Sequence, residues 1–146
     1  MTKKLSMGLL LFYAVLITGC ASVPMATPEA DSRAKQFIAP SDGTATLYIY
    51  RNETMGSAVK LPLLLDNASI GDTGPHTYVL KTIAPGKHIL TSKGEKDVTL
   101  DIDPSAGQTL FVWQEVKMGV FAARSALHVV DDSTGKKAVA ECKLLQ

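Results

Sequence analysis

From residue 44 onwards, apolar and polar side chains alternate in short runs that turn residues separate. In DVTLDID, residues 97–103, every second side chain is apolar and the residues between are acidic or hydroxylic. Such alternation places one set of side chains on each face of a strand. Similar runs recur about every 8–12 residues and are rich in Thr, Tyr, Val and Ile. They predict an all-β domain over residues 44–146, an antiparallel β-sandwich of seven to nine strands, with a closed barrel as the second choice.

The first 19 residues have a different pattern. Lys3 and Lys4 precede an uncharged apolar run over residues 7–17. A membrane-spanning helix needs about 20 apolar residues, so the run is too short to span a bilayer. A positive start, a short apolar stretch and small residues predict a cleaved signal peptide over residues 1–19. The alternative, a buried N-terminal helix of a cytosolic domain, leaves the placing of the charges and small residues unexplained.

Residues 17–20, Ile-Thr-Gly-Cys, resemble the bacterial lipobox. The resemblance implies cleavage between Gly19 and Cys20, a diacylglycerol thioether on Cys20 and acylation of its new amino group. Two or more acyl chains give stable anchoring. Ala21 stands where an Asp would resemble the inner-membrane retention signal. We therefore expect an outer-membrane protein that faces the periplasm and meets the lipoprotein processing and sorting machinery.

Charge and cysteine content exclude several classes of function. The chain has 15 Lys and Arg against 14 Asp and Glu, so it lacks the basic excess of a nucleic-acid-binding protein. With Cys20 lipidated, Cys142 has no partner for an intrachain disulfide. We expect KAVAECKLL, after a turn at STG, to form the last strand, with Cys142 buried as an unreactive thiol. A reactive nucleophile or an intermolecular disulfide is the alternative.

Residues 20–43 are predicted to be a lipid-anchored tether that contains one short helix. Thr27 suits the N-cap of this helix and Pro28 its first position. We expect two or three turns over PEADSRAKQFI, with Phe37 and Ile38 docked on the domain.

No catalytic or metal-binding motif is recognisable. His76, His88 and His128 stand apart from the spacings of metal ligands. We therefore expect no catalytic residue, no metal and no cofactor other than the lipid on Cys20. An envelope hydrolase would need His88 or His128 beside an acid and a Ser in a pocket.

Two sets of residues suggest binding. In VKMGVF, residues 116–121, the apolar side chains of Met118, Val120 and Phe121 surround Gly119. They indicate a partner-docking loop, or, as the favoured interpretation, a bend after which Phe121 returns to the core. A small-ligand carrier would line a groove with aromatic side chains, although core packing is favoured for them too; these are Tyr48, Tyr50, Phe111 and Trp113.

Seven segments resemble, in order, a family of bacterial lipoproteins catalogued as domain of unknown function 2846, over residues 20–146. They are GCASVPMA, AKQF, ATLYIYRN, LDNASIG, PGKH, VKMGVF and GKKAVAECKLL. The stretch from LLLDNASIG to APGKHIL is also similar to PEGA-type sandwich repeats, which implies an immunoglobulin-like or PEGA-like sandwich. Asp66-Asn67 stands where many members have Asp-Gly, and Asn preserves the turn because it tolerates the left-handed conformation.

What the resemblance implies is an envelope lipoprotein without established catalytic residues. We expect a non-enzymatic, lipid-anchored envelope protein whose sandwich is a binding or structural module. An accessory subunit that docks on an envelope protein through residues 116–121 is the main alternative, followed by an envelope hydrolase or a small-ligand carrier.

Overall fold

The computed structural model of the protein describes residues 22–146. The predicted signal peptide, the cleavage site at Gly19 and the lipidation site at Cys20 lie outside the described residues. The elements are α1 Pro28–Ala34, β1 Ala45–Arg51, β2 Leu61–Leu65, β3 Ala68–Thr73, β4 Thr77–Ile83, β5 His88–Ser92, β6 Val98–Ile102, β7 Thr109–Lys117, β8 Arg124–Val130, α2 Asp132–Ala140 and β9 Lys143–Leu144. Neither described helix is long and apolar enough to cross a membrane.

The strands form two sheets, which confirms the all-β, sandwich-like prediction. One sheet has the order β8-β7-β1-β4-β9 and the other the order β3-β2-β5-β6. The pairs β1–β7 and β4–β9 are parallel, so the first sheet is mixed rather than purely antiparallel. Its central strand β1 is buried along its whole length, because both faces of this strand are covered.

Two apolar clusters cover the two faces of β1. Between the sheets, Leu47 and Ile49 pack with Leu63 and Val112. On the outer face, Tyr48 stacks on Phe111 with ring centroids 5.0 Å apart, and both helices lie over this aromatic cluster. The alternation of inward and outward residues along β1 therefore serves two cores rather than one core and solvent.

The expected last strand is wrong for most of its length. Residues 132–140 form α2, and only Lys143–Leu144 pair with β4. Asp131 caps the helix, since its carboxylate accepts the backbone N–H of Thr134 at 2.9 Å. Gly135 lies inside the helix, where an added Cβ would stand 2.2 Å from Cγ of Phe111. Glycine here permits a close helix–sheet contact and does not mark a turn.

The N-terminal helix is confirmed with Thr27 as its cap and Pro28 in its first turn. It ends at Ala34, after which Phe37 adopts a positive φ of 50° and turns its ring onto Tyr48. Docking of Phe37 is therefore confirmed. Docking of Ile38 is wrong, because the turn at Phe37 leaves that side chain 70% exposed.

The turn at Asp66-Asn67 joins β2 to β3 as predicted. Both residues have positive φ, at 50° and 67°, which is the conformation of a two-residue hairpin turn that Asn and Asp tolerate.

The segment before α1 closes the edge of the first sheet. Met25 forms an antiparallel bridge with Leu145; Ala26 N–H donates to the Leu144 carbonyl at 2.9 Å. Val23 is 9% exposed and belongs to the core between the sheets. Residues 23–37 of the predicted tether thus contact the domain, through Val23, the Met25–Leu145 bridge, α1 and Phe37.

Candidate functional site

Four connections between consecutive strands meet at one end of the sandwich, which we call the loop end. β1 finishes at Arg51 opposite Thr77, where β4 begins. β7 pairs with β1 as far as Trp113 and then continues to Lys117, which pairs with Arg124. The β7–β8 loop therefore projects past the end of the central strand. The connections at this end are residues 52–60, 74–76, 93–97 and 118–123.

Glu95 holds the β7–β8 loop in shape. Its Oε2 accepts the backbone N–H groups of Val120 at 2.7 Å and Phe121 at 3.4 Å, and its Oε1 accepts from Arg124 Nη2 at 3.0 Å. These hydrogen bonds, the Arg124 pair foremost, keep the pKa of Glu95 below its usual value. At Gly119 an added Cβ would stand 1.7 Å from the Ala122 carbonyl oxygen, so the loop packs too closely there for any side chain.

The β7–β8 loop, fixed by Glu95, exposes its apolar side chains to solvent. Met118 is 80% exposed, Val120 75% and Phe121 93%. The interpretation in which Phe121 returns to the core is therefore wrong. The exposure satisfies what a docking loop requires, and whether a partner binds there stays a prediction.

A row of buried polar side chains, joined by hydrogen bonds, lies beneath the loop end. Thr73 Oγ1 lies 2.5 Å from Gln114 Oε1, Gln114 Nε2 donates to Ser92 Oγ at 2.6 Å, and Ser125 Oγ donates to Ser92 at 2.7 Å. All four side chains are buried, and each has a partner, as burial requires. Sequence reasoning missed this row; the signal was Gln114, which is polar although Leu110, Val112 and Val116 at the other inward positions of β7 are apolar.

Arg51 organises the longest connection at the loop end. The side chain is fully buried, and it donates to the carbonyls of Val59 at 2.8 Å, Met55 at 3.0 Å and Gly56 at 2.7 Å. Burial lowers the pKa of Arg51. Its hydrogen bonds leave the Met55 side chain 53% exposed beside the same end.

The N-terminal segment borders the loop end through a cleft of about 370 Å³. Ser22 and Val23 line this cleft together with Pro75, His76 and Thr77, the turn before β4 and its first residue. Ser22, the first described residue, therefore borders the loop end.

His88 is held between two acceptors at the opposite end. Its Nδ1 lies 2.6 Å from Asp66 Oδ2 and its Nε2 lies 2.8 Å from the Ala84 carbonyl. A ring with an acceptor on each nitrogen is best satisfied when both nitrogens carry a proton. Accordingly, hydrogen bonding to Asp66 and to the Ala84 carbonyl raises the pKa of His88. The adjoining cleft is bordered by acidic and aliphatic side chains and Lys87, and none of the described residues there is a Ser.

The other histidines also make surface contacts. His128 Nε2 lies 2.9 Å from Glu115 Oε2, and His76 Nε2 lies 3.1 Å from Thr54 Oγ1. Within residues 22–146, no group of three His, Cys, Asp or Glu side chains is placed to hold a metal ion.

The aromatic side chains considered for a ligand groove are packed under the helices. Tyr48 and Tyr50 are 3% exposed and Phe111 is 1% exposed. Trp113 donates its Nε1–H to Glu53 Oε1 at 3.0 Å, and with Tyr50 it borders a shallow cleft of about 500 Å³ beside α2.

Cys142 is buried, as expected for an unreactive thiol. Its side chain is 1% exposed and its Sγ donates to the Arg51 carbonyl at 3.6 Å. Burial raises the pKa of the thiol to about 12, and a thiol that stays protonated is a poor nucleophile.

Comparison with known proteins gives a family and one relative. The family described as "Protein of unknown function (DUF2846)" matches residues 41–126. A protein of Haemophilus influenzae with the name "Uncharacterized protein" is 37% identical over 132 residues, which cover 90% of this chain and 79% of the relative. Glu95 and the β7–β8 loop lie within the region that the family matches.

Proposed function

The chain belongs to the DUF2846 family of proteins of unknown function, and from that premise we propose that it is a non-enzymatic, lipid-anchored protein of the bacterial outer membrane. Its β-sandwich is a binding or structural module that faces the periplasm. The observation that carries the proposal is the Ile-Thr-Gly-Cys sequence at residues 17–20, which follows a positively charged, apolar leader.

The lack of enzymatic activity is proposed from what the candidate groups do. Both nitrogens of His88 have acceptors, which fits a structural role. The Cys142 thiol is buried and has a raised pKa. A general base or nucleophile must instead reach a substrate in a reactive protonation state.

The test is the chemistry of Cys20 in the producing bacterium. Mass spectrometry of the purified protein is expected to show a mature chain that begins at acylated Cys20, and density-gradient fractions to place it with the outer membrane. A Cys20→Ser variant is the control and is expected to lose the lipid. Recovery of the wild-type chain as an unmodified soluble protein would contradict the proposal.

An accessory subunit of an envelope complex is the second candidate. The observation that favours it is the exposure of Met118, Val120 and Phe121, since Met and aromatic residues are enriched at protein interfaces. A photo-crosslinker at Phe121 is expected to capture one envelope protein if this candidate is right, and a crosslinker at Lys96 is the control.

A further inference from the structure

Exposed apolar side chains concentrate at the loop end. Met118, Val120 and Phe121 project from the β7–β8 loop, and Met55 is exposed on the connection that Arg51 organises. The partly exposed Met25 borders the N-terminal cleft at the same end. Elsewhere among the described residues, the large exposed apolar side chains are Ile38, Ile89 and Val129, which lie on three different elements or connections.

The loop end is also bordered by the first described residue after the lipidation site. Ser22 lines the cleft beside the β3–β4 turn, and Cys20 is two positions earlier in the sequence. Two extended residues span at most about 7 Å. Acyl chains on Cys20 would therefore keep Ser22, and with it the cleft beside the loop end, close to the bilayer.

The charged side chains are also distributed unevenly between the two ends of the domain. At the loop end, Glu95 and Asp97 are paired with Arg124 and Lys93; the other exposed charges there include Lys60, Lys96, Lys143 and one acid, Glu141. In the described part of the chain, the opposite end has one exposed lysine, Lys87, and five exposed aspartates, of which Asp66 is paired with His88 and Asp132 with Lys136; the other three are Asp42, Asp103 and Asp131. Lysines near a membrane surface are attracted to anionic headgroups, and acids are repelled.

The shape of the loop suits a lipid interface better than a protein interface. Glu95 fixes the backbone at Val120 and Phe121, so the apolar side chains are ordered before binding. Three side chains on one narrow loop are few beside the roughly 800 Å² per partner of a stable protein interface. Apolar side chains flanked by lysines are instead typical of segments that enter the headgroup region.

We propose that Met118, Val120 and Phe121 insert into the surface of the membrane that carries the lipid anchor, so that the sandwich stands on the bilayer by its loop end. The inference rests on the proposed lipidation of Cys20. Glu95 is a positioning residue in this arrangement, because it holds the loop backbone and makes no contact with lipid.

The experiment uses the full-length lipidated protein in vesicles of phosphatidylethanolamine and phosphatidylglycerol. A Phe121→Cys variant carries an environment-sensitive fluorophore, and Lys87→Cys at the opposite end is the matched control. We expect blue-shifted emission and quenching by spin-labelled lipid for the probe at residue 121, and the emission of an aqueous probe at residue 87. Inserting ten Gly and Ser residues after Ala21 is expected to reduce the quenching, because the loop is then no longer confined to the interface.

The outcomes separate the two proposals. Mass spectrometry first establishes whether Cys20 is acylated, and an unacylated chain contradicts the proposed function. With Cys20 acylated, an unquenched probe at residue 121 overturns the inference and leaves the proposed function intact. Shielding of that probe only after an envelope protein is added also overturns it, in favour of protein docking. If the inserted linker does not reduce the quenching, the short connection between Cys20 and Ser22 is not what keeps the loop at the membrane surface.

Discussion

The imidazole of His88 makes the stability of the domain depend on pH. Its pKa is raised by the Asp66 carboxylate and the Ala84 carbonyl, so its stabilising effect is complete below the unfolded value of about 6.5 and is lost as pH rises through the folded pKa. The pKa of Asp66 is lowered, first by the hydrogen bond with His88. The stabilisation that ionised Asp66 provides is present above about pH 3.9 and is lost as pH falls through its lowered pKa.

A His88→Gln variant tests this pair. We expect the variant to lose more free energy of unfolding, relative to wild type, near pH 5.5 than near pH 9, because only the protonated ring makes both contacts. Denaturant titrations at the two pH values measure the difference, and an Asp66→Asn variant is expected to lower the His88 titration midpoint seen by NMR. An equal loss at both pH values would exclude a charged pair.

Individual side chains were only partly predictable. The placing of Phe37 and Ile38 depended on one backbone dihedral, the φ of 50° at Phe37, which sequence pattern does not contain. Phe121 likewise gives the same local pattern whether it returns to the core or is exposed. What holds the loop in this position is Glu95, which lies about 25 residues earlier and accepts from the backbone N–H groups of Val120 and Phe121.

Helix α2 depends on the absence of a side chain at Gly135. An added Cβ would lie 2.2 Å from Cγ and 2.6 Å from Cδ1 of Phe111. Ala favours a helix over Gly by about 1 kcal/mol, but overpacking costs about 1–3 kcal/mol or more, and the clash here is with a buried ring.

We therefore expect Gly135→Ala to lower the free energy of unfolding by about 2 kcal/mol, measured by denaturant titration. Lys137→Ala on the exposed face of the same helix is the control and is expected to change it by less than about 0.5 kcal/mol. Adding Phe111→Leu to Gly135→Ala is expected to recover part of the loss. A Gly135→Ala protein as stable as wild type would show that the contact is not tight.

Helix α1 is fastened to the sheet by Asp31. Its Oδ1 accepts from the Tyr78 hydroxyl and the Leu144 N–H, each at 2.9 Å, and its Oδ2 accepts from Lys35 at 2.8 Å. Partial burial opposes ionisation, but the hydrogen bonds from Lys35, Tyr78 and Leu144 outweigh it and lower the pKa of Asp31. The stabilisation is present above about pH 3.9 and is lost as pH falls through the lowered pKa.

For Asp31→Ala we expect a loss of about 1–3 kcal/mol at neutral pH, because the Leu144 N–H and the Tyr78 hydroxyl lose their acceptor. The loss relative to wild type should shrink in acid. Asp132→Ala removes the equivalent i, i+4 partner of Lys136 on α2, and this exposed pair is expected to contribute about 0.5 kcal/mol or less. Equal losses from the two variants would contradict the fastening role.

Strands were predicted correctly where apolar and polar residues alternate strictly. The prediction failed where the same residues fit both the strand period and the helix period. Val98, Leu100 and Ile102 turn inward on β6 as expected. In the C-terminal stretch, however, Gly135, Ala138, Val139 and Cys142 also recur at helical spacing. The cap at Asp131 and the close packing of Gly135 against Phe111 favour the helix. The packing is a tertiary contact, so the local sequence does not reveal it.

The sandwich was predictable as a whole, whereas the assignment of strands to sheets was not. β4 and β5 are consecutive but lie in different sheets, and β7 pairs with the distant β1. Local pattern reports which residues face inward, and it does not identify the neighbouring strand. The loop end could not be predicted either, because it brings together four strand-to-strand connections that are far apart in the sequence.

The closing of the sandwich edge by the N-terminal segment predicts a stability difference between two truncations. A chain that begins at Ser22 keeps Val23 and the Met25–Leu145 bridge, and one that begins at Thr27 lacks both. We expect the shorter chain to be less stable by roughly 2–3 kcal/mol, from the loss of one buried side chain and two backbone hydrogen bonds. Thermal and denaturant unfolding of the pair measures the difference. Equal stability would mean that the segment only lies along the edge.

The same segment has a consequence for the order of folding. Asp31 and Leu144 are 113 positions apart, and contacts of such long range carry the largest loop-closure entropy, so we expect them to form late. Until they form, the residues of the segment before α1 are not yet fixed against β9. Under the proposed lipidation of Cys20, acylation can therefore precede the docking of Val23, which then fixes the distance between the folded domain and its anchor.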